Sequence, residues 1–367
     1  MITEIFKMAQ LNGMRRCWQS REFCMIRSMP SCQSGDGILH KPILGLHTMI
    51  GGEGPLSYAQ NSSYQRGAVD VAKPNIEEEI MKNLDIARLS SNSFWIADFG
   101  CSTGRNSFLA MQIITEAIQR KFHSERLISQ IPDIYVLFND QVTNDFNTLF
   151  RSLPLERHYQ AVGLPVADPN SPAWNKGKVD YVGARQEVYD AYSTQYAEDI
   201  QTFLEARAEE LVSGGLMTLL VPAVPTKPEN SDTSYKSSTD LPLIGSCLID
   251  MAEEGRISEA KIESFNFPMY FTFPEELKAI IERNSRYNIE RMEILEDPGK
   301  YAMTSANARA SIYRAGLEGL LTHHFGYEII EELFDRYREK LEASPALLLP
   351  DNNTSILIFV LLKRKME

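Results

Sequence analysis

Three observations predict an α/β protein: apolar runs of strand length, helical stripes between them, and glycine-bearing turns where one gives way to the other. The runs are Phe94–Asp98, Ile134–Phe138 and Leu216–Val221, and the chain closes on a fourth, Ser355–Leu362. Continuous apolar runs suit strands covered on both faces, and strand–helix alternation implies a mainly parallel sheet.

Each element has a local reason. Ile76–Leu84, beyond Pro74, reads as a helix with acids in its first turn, where the helix dipole favours them. Leu109, Ala110, Ile113, Ile114 and Ala117 form one helical stripe running to about residue 121. A helix is expected from Phe146, with Asn144 or Asp145 as its cap. Another spans roughly 190–212 and stops at Ser213-Gly214-Gly215. Pro225–Asp240 is polar loop, and residues 241–340 read as mainly helical. The expected organisation is an extension over 1–48, an α/β core over 49–225 plus 353–367, and a helical cap over 226–352. The extension is rich in Met, Arg, Cys and Ser, shows little periodicity, and is set aside as disordered or spurious.

Composition excludes whole classes. The net charge of −12, from 37 basic and 49 acidic residues, argues against a nucleic-acid partner, which calls for concentrated positive charge. No apolar run approaches the roughly 20 residues of a membrane-spanning helix, so no membrane partner is expected. Five irregularly spaced cysteines form neither a disulfide framework nor a zinc pattern and fit a cytoplasmic setting.

The strongest local signal is Asp98-Phe99-Gly100-Cys101-Ser102-Thr103-Gly104, where a buried strand turns tightly into a helix. Glycine permits close backbone approach, and the helix start offers N–H groups to a polar ligand. The spacing is neither GxGxxG nor GxxxxGK[ST]. Asp98 at the strand end suits a cationic group, such as the amino or sulfonium side of S-adenosylmethionine. Asp140, ending the next strand, is placed to accept from both ribose hydroxyls of a nucleoside; the alternative is an ordinary solvated acid or a helix cap. No Ser-His-Asp set and no GxSxG occurs, so no catalytic side chain is named. His323 and His324 are read as packing residues, because adjacent helix positions diverge, and Trp95 as core.

Several segments together carry a resemblance. Met49–Gly54, Ser57-Tyr58, Asn61-Ser62, Ile96–Asn106, Phe138–Asp140, Asn144–Leu153, Asn175–Gly177, Arg207–Gly215, Ser264–Asn266 and His324–Gly326 resemble the plant SABATH methyltransferases. These transfer methyl from S-adenosylmethionine to small carboxylic acids or, in caffeine synthesis, to purine nitrogens. The resemblance implies a Rossmann-like class I methyltransferase sheet with a mainly helical cap. It implies that Tyr58, Ser62, Asp98, Gly100, Cys101, Asn106, Asp140 and Gln141 hold the cofactor, and that Gln65, Tyr270 and Tyr313 meet the acceptor. Asn175, Glu263, Phe265 and Asn266 match positions described as holding Mg²⁺, with Glu263 where Asp is usual. The resemblance leaves a homodimer open.

The pattern also breaks. After Tyr159–Gly163, where members continue through a strand and a His-Trp motif, this chain passes almost directly to Asn170–Lys176. The absent piece would carry an adenine-holding Ser-Phe pair, a central strand and an acceptor-clamping Trp. Other departures are Ile50, Arg105 and Gln141, where members carry Lys, Pro and Leu, and the absence of a cap Trp around Ser234–Asp240. The expected function is methylation of the carboxylate of a small organic acid. The alternatives are a catalytically impaired or inactive protein of the same fold and an N-methyltransferase of purine alkaloids.

Overall fold

The structure, a computed structural model, describes residues 49–52, 54–86, 93–103, 105–125, 131–140, 171–227, 240–349 and 355–366. The extension over 1–48, Gln141, the helix expected from Phe146 and the junction at 163–170 lie outside the described residues.

The amino-terminal half alternates as expected: α1 (Ser63–Asn83), β1 (Ser93–Phe99), α2 (Arg105–Ser124) and β2 (Asp133–Asn139). β1 and β2 pair in parallel, Asp98 opposite Phe138. Helix α1 begins well before the sequence suggests, running straight through Pro74. Proline removes one backbone hydrogen bond, but Val69, Ala72, Ile76 and Ile80 are each at most 4% exposed. Apolar burial at about 1.5–3 kcal/mol per large side chain outweighs one lost bond.

Then follow α3 (Gln186–Glu210), β3 (Leu216–Ala223), α4 (Asp240–Glu253), α5 (Glu259–Glu263) and α6 (Pro274–Arg283). The chain continues with β4 (Tyr287–Leu295), α7 (Gly299–Ala302), α8 (Ala306–Phe325), α9 (Ile330–Glu342) and β5 (Ile356–Arg364). β5 lies between β3 and β4 and is antiparallel to both. Strand β4 departs from the mainly helical expectation for 241–340. Its period of two is broken by a register shift between Ile289 and Arg291, so a bulge hides the alternation that would have revealed it.

The two sheets share their cores. Phe94 and Ile96 of β1 meet Leu220 of β3 and Phe359 of β5 in one apolar cluster beneath α1 and α2. Trp95, Ala97 and Phe99 point the other way, joining Leu219, Val360 and the apolar faces of α3 and α6. Strand pleating accounts for this division, since successive side chains alternate faces. The halves thus pack as one layer between helices, although no strand is described between β1 and β3. Trp95, read as core, is half-buried at the edge of this cluster and stacks on the exposed Tyr135 with ring centroids 4.5 Å apart. A third cluster, built on α4, α8 and α9 around Phe267, Leu321 and Tyr337, forms a separate core among the carboxyl-terminal helices. No helix among the described residues is long and apolar enough to cross a membrane.

Candidate active site

The turn after β1 requires its glycine: Gly100 has φ +95°, which side-chain-bearing residues rarely adopt, and a Cβ there would meet nothing within 4 Å. Ser102 follows with φ +46°. Its N–H donates to Asp140 Oδ2 at 2.6 Å, tying the end of β2 to the turn after β1. The parallel register places Asp98 and Asp140 at the same end of the strand pair, on either side of the turn that Ser102 ties to β2. Asp98 is fully buried. Ser107 Oγ donates to the Cys101 carbonyl at 2.8 Å, bracing the start of α2 against the turn.

The segment before α1 is tied to the same turn. Asn106 Nδ2 donates to the Ser62 carbonyl at 3.2 Å, linking the first turn of α2 to the cap position of α1. Asn61 Nδ2 holds its own loop by donating to the carbonyls of Pro55 and Ser57. Tyr58 N–H donates to the Ile50 carbonyl, and Ile50 N–H to the Ala315 carbonyl, seating this segment on α8. The hydroxyls of Ser57 and Tyr58 and the Gln65 Oε1 are buried with no hydrogen-bond partner among the described residues. Buried polar atoms are ordinarily paired, so these mark a surface built to meet a polar ligand. A buried acid, a second acid pinned by a backbone N–H, and unpaired hydroxyls suit an amino-acid nucleoside such as S-adenosylmethionine.

The comparisons agree. A model of the "SAM dependent carboxyl methyltransferase" family matches residues 45–167 and 161–365. The chain belongs to this SABATH family of carboxyl methyltransferases. Loganic acid O-methyltransferase of Catharanthus roseus is 35% identical over 354 residues, covering 87% of this chain and 94% of that protein. Farnesoic acid carboxyl-O-methyltransferase of Arabidopsis thaliana is 37% identical, covering 80% and 92%. The solved structure of loganic acid methyltransferase with SAH aligns with TM-score 0.78 at 35% identity, covering 86% of this chain and 98% of that one. The chain is therefore an α/β methyltransferase that uses S-adenosylmethionine and methylates small organic acids. The two matched stretches of the family pattern meet at 161–167, where the sequence passes abruptly to Asn170–Lys176.

Other predicted positions of the methyltransferase lie in separate places. Tyr313 on α8 belongs to a buried group with Asp240, Arg309 and Tyr337; burial, then the Asp240 carboxylate, pushes its phenol well above the ordinary value. Tyr270 lies among Tyr181, Tyr189, Tyr192 and Tyr196, its hydroxyl 2.8 Å from that of Tyr189 and 2.9 Å from Glu276 Oε1. Tyr270 and Tyr313 pack into different apolar clusters.

Two of the expected magnesium ligands are engaged with each other. Asn175 Nδ2 donates to Asn266 Oδ1 and to the Asp180 carbonyl, both at 2.7 Å. Phe265 is core, its ring 4.9 Å from that of Phe325 and 5.0 Å from His324. Glu263 is the sole carboxylate of the proposed set, and no group of three His, Cys, Asp or Glu able to hold a metal occurs among the described residues. Magnesium prefers several oxygen ligands, and this arrangement does not support it. Beside Asn175 is a cleft of about 430 Å³ lined by Trp174, Lys176, Lys178, Ala184 and Arg185. None of the predicted cofactor residues lines it.

Sequence reasoning missed Asp180, Asp240 and Arg309. Asp180 is 7% exposed, and burial raises its carboxyl to about 6 against the opposing Val182 N–H and Lys178. Asp240, taken as the end of a loop, is the first residue of α4 and accepts from the Tyr337 hydroxyl. Arg309 interrupts a run of small residues, Ala306–Ala310, and that contrast was the available signal.

Proposed function

We propose that the methyltransferase binds S-adenosylmethionine between the glycine turn and the segment Ser57–Gln65, and methylates the carboxylate of a small organic acid presented from the cap side. The bond from Ser102 N–H to Asp140 Oδ2 carries this assignment, because it makes one pocket of two strand ends. Asp98 would receive the amino group of the methionine part and Asp140 the ribose hydroxyls, a carboxylate being able to accept from several donors at once. Gly100 lets the backbone approach, and Tyr58, Ser62, Cys101 and Asn106 would surround the methionine moiety, with Gln141 next to the ribose. Gln65 and Tyr313 would face the acceptor; Tyr270 is assigned there only through the resemblance. The cofactor supplies a methyl group already activated on a sulfonium.

What remains for the protein is orientation. A carboxylate of reference pKa about 4 is ionised near neutrality, so no general base is required. The side chains need only hold its oxygen at roughly 3–3.5 Å from the methyl carbon and keep competing water away. Asn175, Glu263, Phe265 and Asn266 enter no step.

A second reading, a protein that binds the cofactor but transfers poorly, is favoured by one specific observation. The family pattern is interrupted at 161–167. Calorimetric titration with S-adenosylhomocysteine followed by radiolabelled methyl transfer to carboxylic acids and xanthines separates the readings. Binding with labelled esters supports the first, and binding without transfer the second. Labelled xanthines alone would reassign the acceptor to a purine nitrogen, and no binding at millimolar ligand would overturn the pocket.

A further inference from the structure

Arg309, in the first turns of α8, is 5% exposed. A guanidinium carries five N–H donors and keeps its charge inside a protein. Among the described residues its one polar contact is Nη1 to Asp240 Oδ1 at 3.5 Å, the outer limit of a hydrogen bond. Its Nε is buried with no partner among the described residues. The same Asp240 oxygen is closely held by the Tyr337 hydroxyl, so phenol competes with guanidinium for it. A buried cation this poorly matched is costly unless another oxygen completes it.

Its position says what that oxygen belongs to. Tyr313 follows Arg309 by four residues and so shares its helix face, and it interacts electrostatically with Arg309, Asp240 and Tyr64. Tyr64 is in the first turn of α1, beside Gln65 with its unpartnered Oε1. One cap position earlier, the Ser62 carbonyl accepts from Asn106 of the cofactor turn. The Arg309 face of α8 thus lies within electrostatic reach of the start of α1, whose cap residue is bonded to the cofactor turn.

We propose that Arg309 is a specificity-determining residue that receives a second oxygen-bearing group of the acceptor, remote from the carboxylate being methylated. This rests on the carboxyl methyltransferase reading above. The methylated carboxylate itself is a poor partner for Arg309. It loses its charge as the ester forms, so a cation there would stabilise the ground state more than the transition state and slow the reaction. A hydroxyl, carbonyl or second carboxylate elsewhere on the acid keeps its oxygen throughout. The preferred acceptor class is thus an oxygenated acid rather than a hydrocarbon acid of similar size.

The test uses the full chain saturated with S-adenosylhomocysteine, titrated with size-matched pairs of acids: a hydrocarbon monocarboxylic acid and its hydroxylated or dicarboxylic counterpart. The wild-type protein should bind the oxygenated partner about tenfold or more tightly, since a site built for a polar group rejects the analogue lacking it. Arg309→Met should erase most of that ratio and Arg309→Lys retain part of it, with S-adenosylhomocysteine affinity unchanged in both. Equal weakening of both acids would mean a structural role and overturn the proposal, as would a wild-type preference for the hydrocarbon acid. Cofactor-product binding with no acid bound overturns it while sparing the pocket, whereas no binding of S-adenosylhomocysteine condemns the underlying reading. Should Arg309→Met fail to fold, the wild-type ratio and its change in Arg309→Lys decide the matter.

Discussion

The β1–β2 pair and the β3–β5–β4 sheet are stabilised in different ways. In the carboxyl-terminal sheet, β5 has a hydrogen-bonded strand on each side and alternates its residues into two cores. In the amino-terminal pair, β1 has one strand partner among the described residues, yet it carries the turn that builds the pocket. One region supplies cooperative packing and the other supplies ligand-facing backbone. The difference teaches that a recognition turn can rest on a short strand pair when the adjoining cores are shared.

The largest test of that contrast is Phe359→Ala in β5. Phe359 is fully buried in the core that also holds Phe94 and Ile96, so truncation should cost about 3–5 kcal/mol by transfer and cavity terms. Urea unfolding should show one transition moving as a whole, and a split transition would mean that the halves do not share a core. Next is Asp98→Asn, which keeps the shape but removes the buried charge from the pocket. S-adenosylhomocysteine affinity should fall about 100-fold by calorimetry, from loss of a charge-assisted bond, while the melting temperature holds or rises. An unchanged affinity would place the ligand elsewhere.

Hydrogen exchange gives a smaller expected effect: β5 amides should exchange about tenfold or more slowly than those of β1, because local opening follows the density of surrounding packing. Equal protection would erase the contrast. The smallest effect belongs to Cys247 in the cap core, which is fully buried with its thiol pushed up to about 11, chiefly by burial. The thiolate is the reactive form, so iodoacetamide at pH 7.5 should leave Cys247 unmodified in the folded protein, as peptide mass mapping can check. Rapid alkylation would show a cap that opens readily.

Much of the core was legible because its strands are continuous apolar runs, β3 and β5 being buried on both faces. Phe94–Asp98, Ile134–Phe138, Leu216–Val221 and Ser355–Leu362 all fall within observed strands but for Ser355, and the motif residues Asp98 to Thr103 lie at the turn. The beginning of α1 was not legible, since Pro74 is a local stop signal that packing overrides. Nor was β4, where a bulge disrupts the alternation. Tyr270 and Tyr313 look alike in sequence; one is enclosed by other tyrosines near Glu276 and the other faces Asp240.

The sequence by itself determined the strand–turn–helix grammar, the family and hence the reaction, because apolar runs, glycines and acids at strand ends are local properties. Tertiary structure alone decided that Ser102 binds Asp140, that two sheets feed the same cores, and that Arg309 meets Asp240 only at the limit of hydrogen bonding. Those facts join residues from about 40 to 260 positions apart. Side-chain pairing over such spans follows from packing geometry, which no periodicity along the chain encodes.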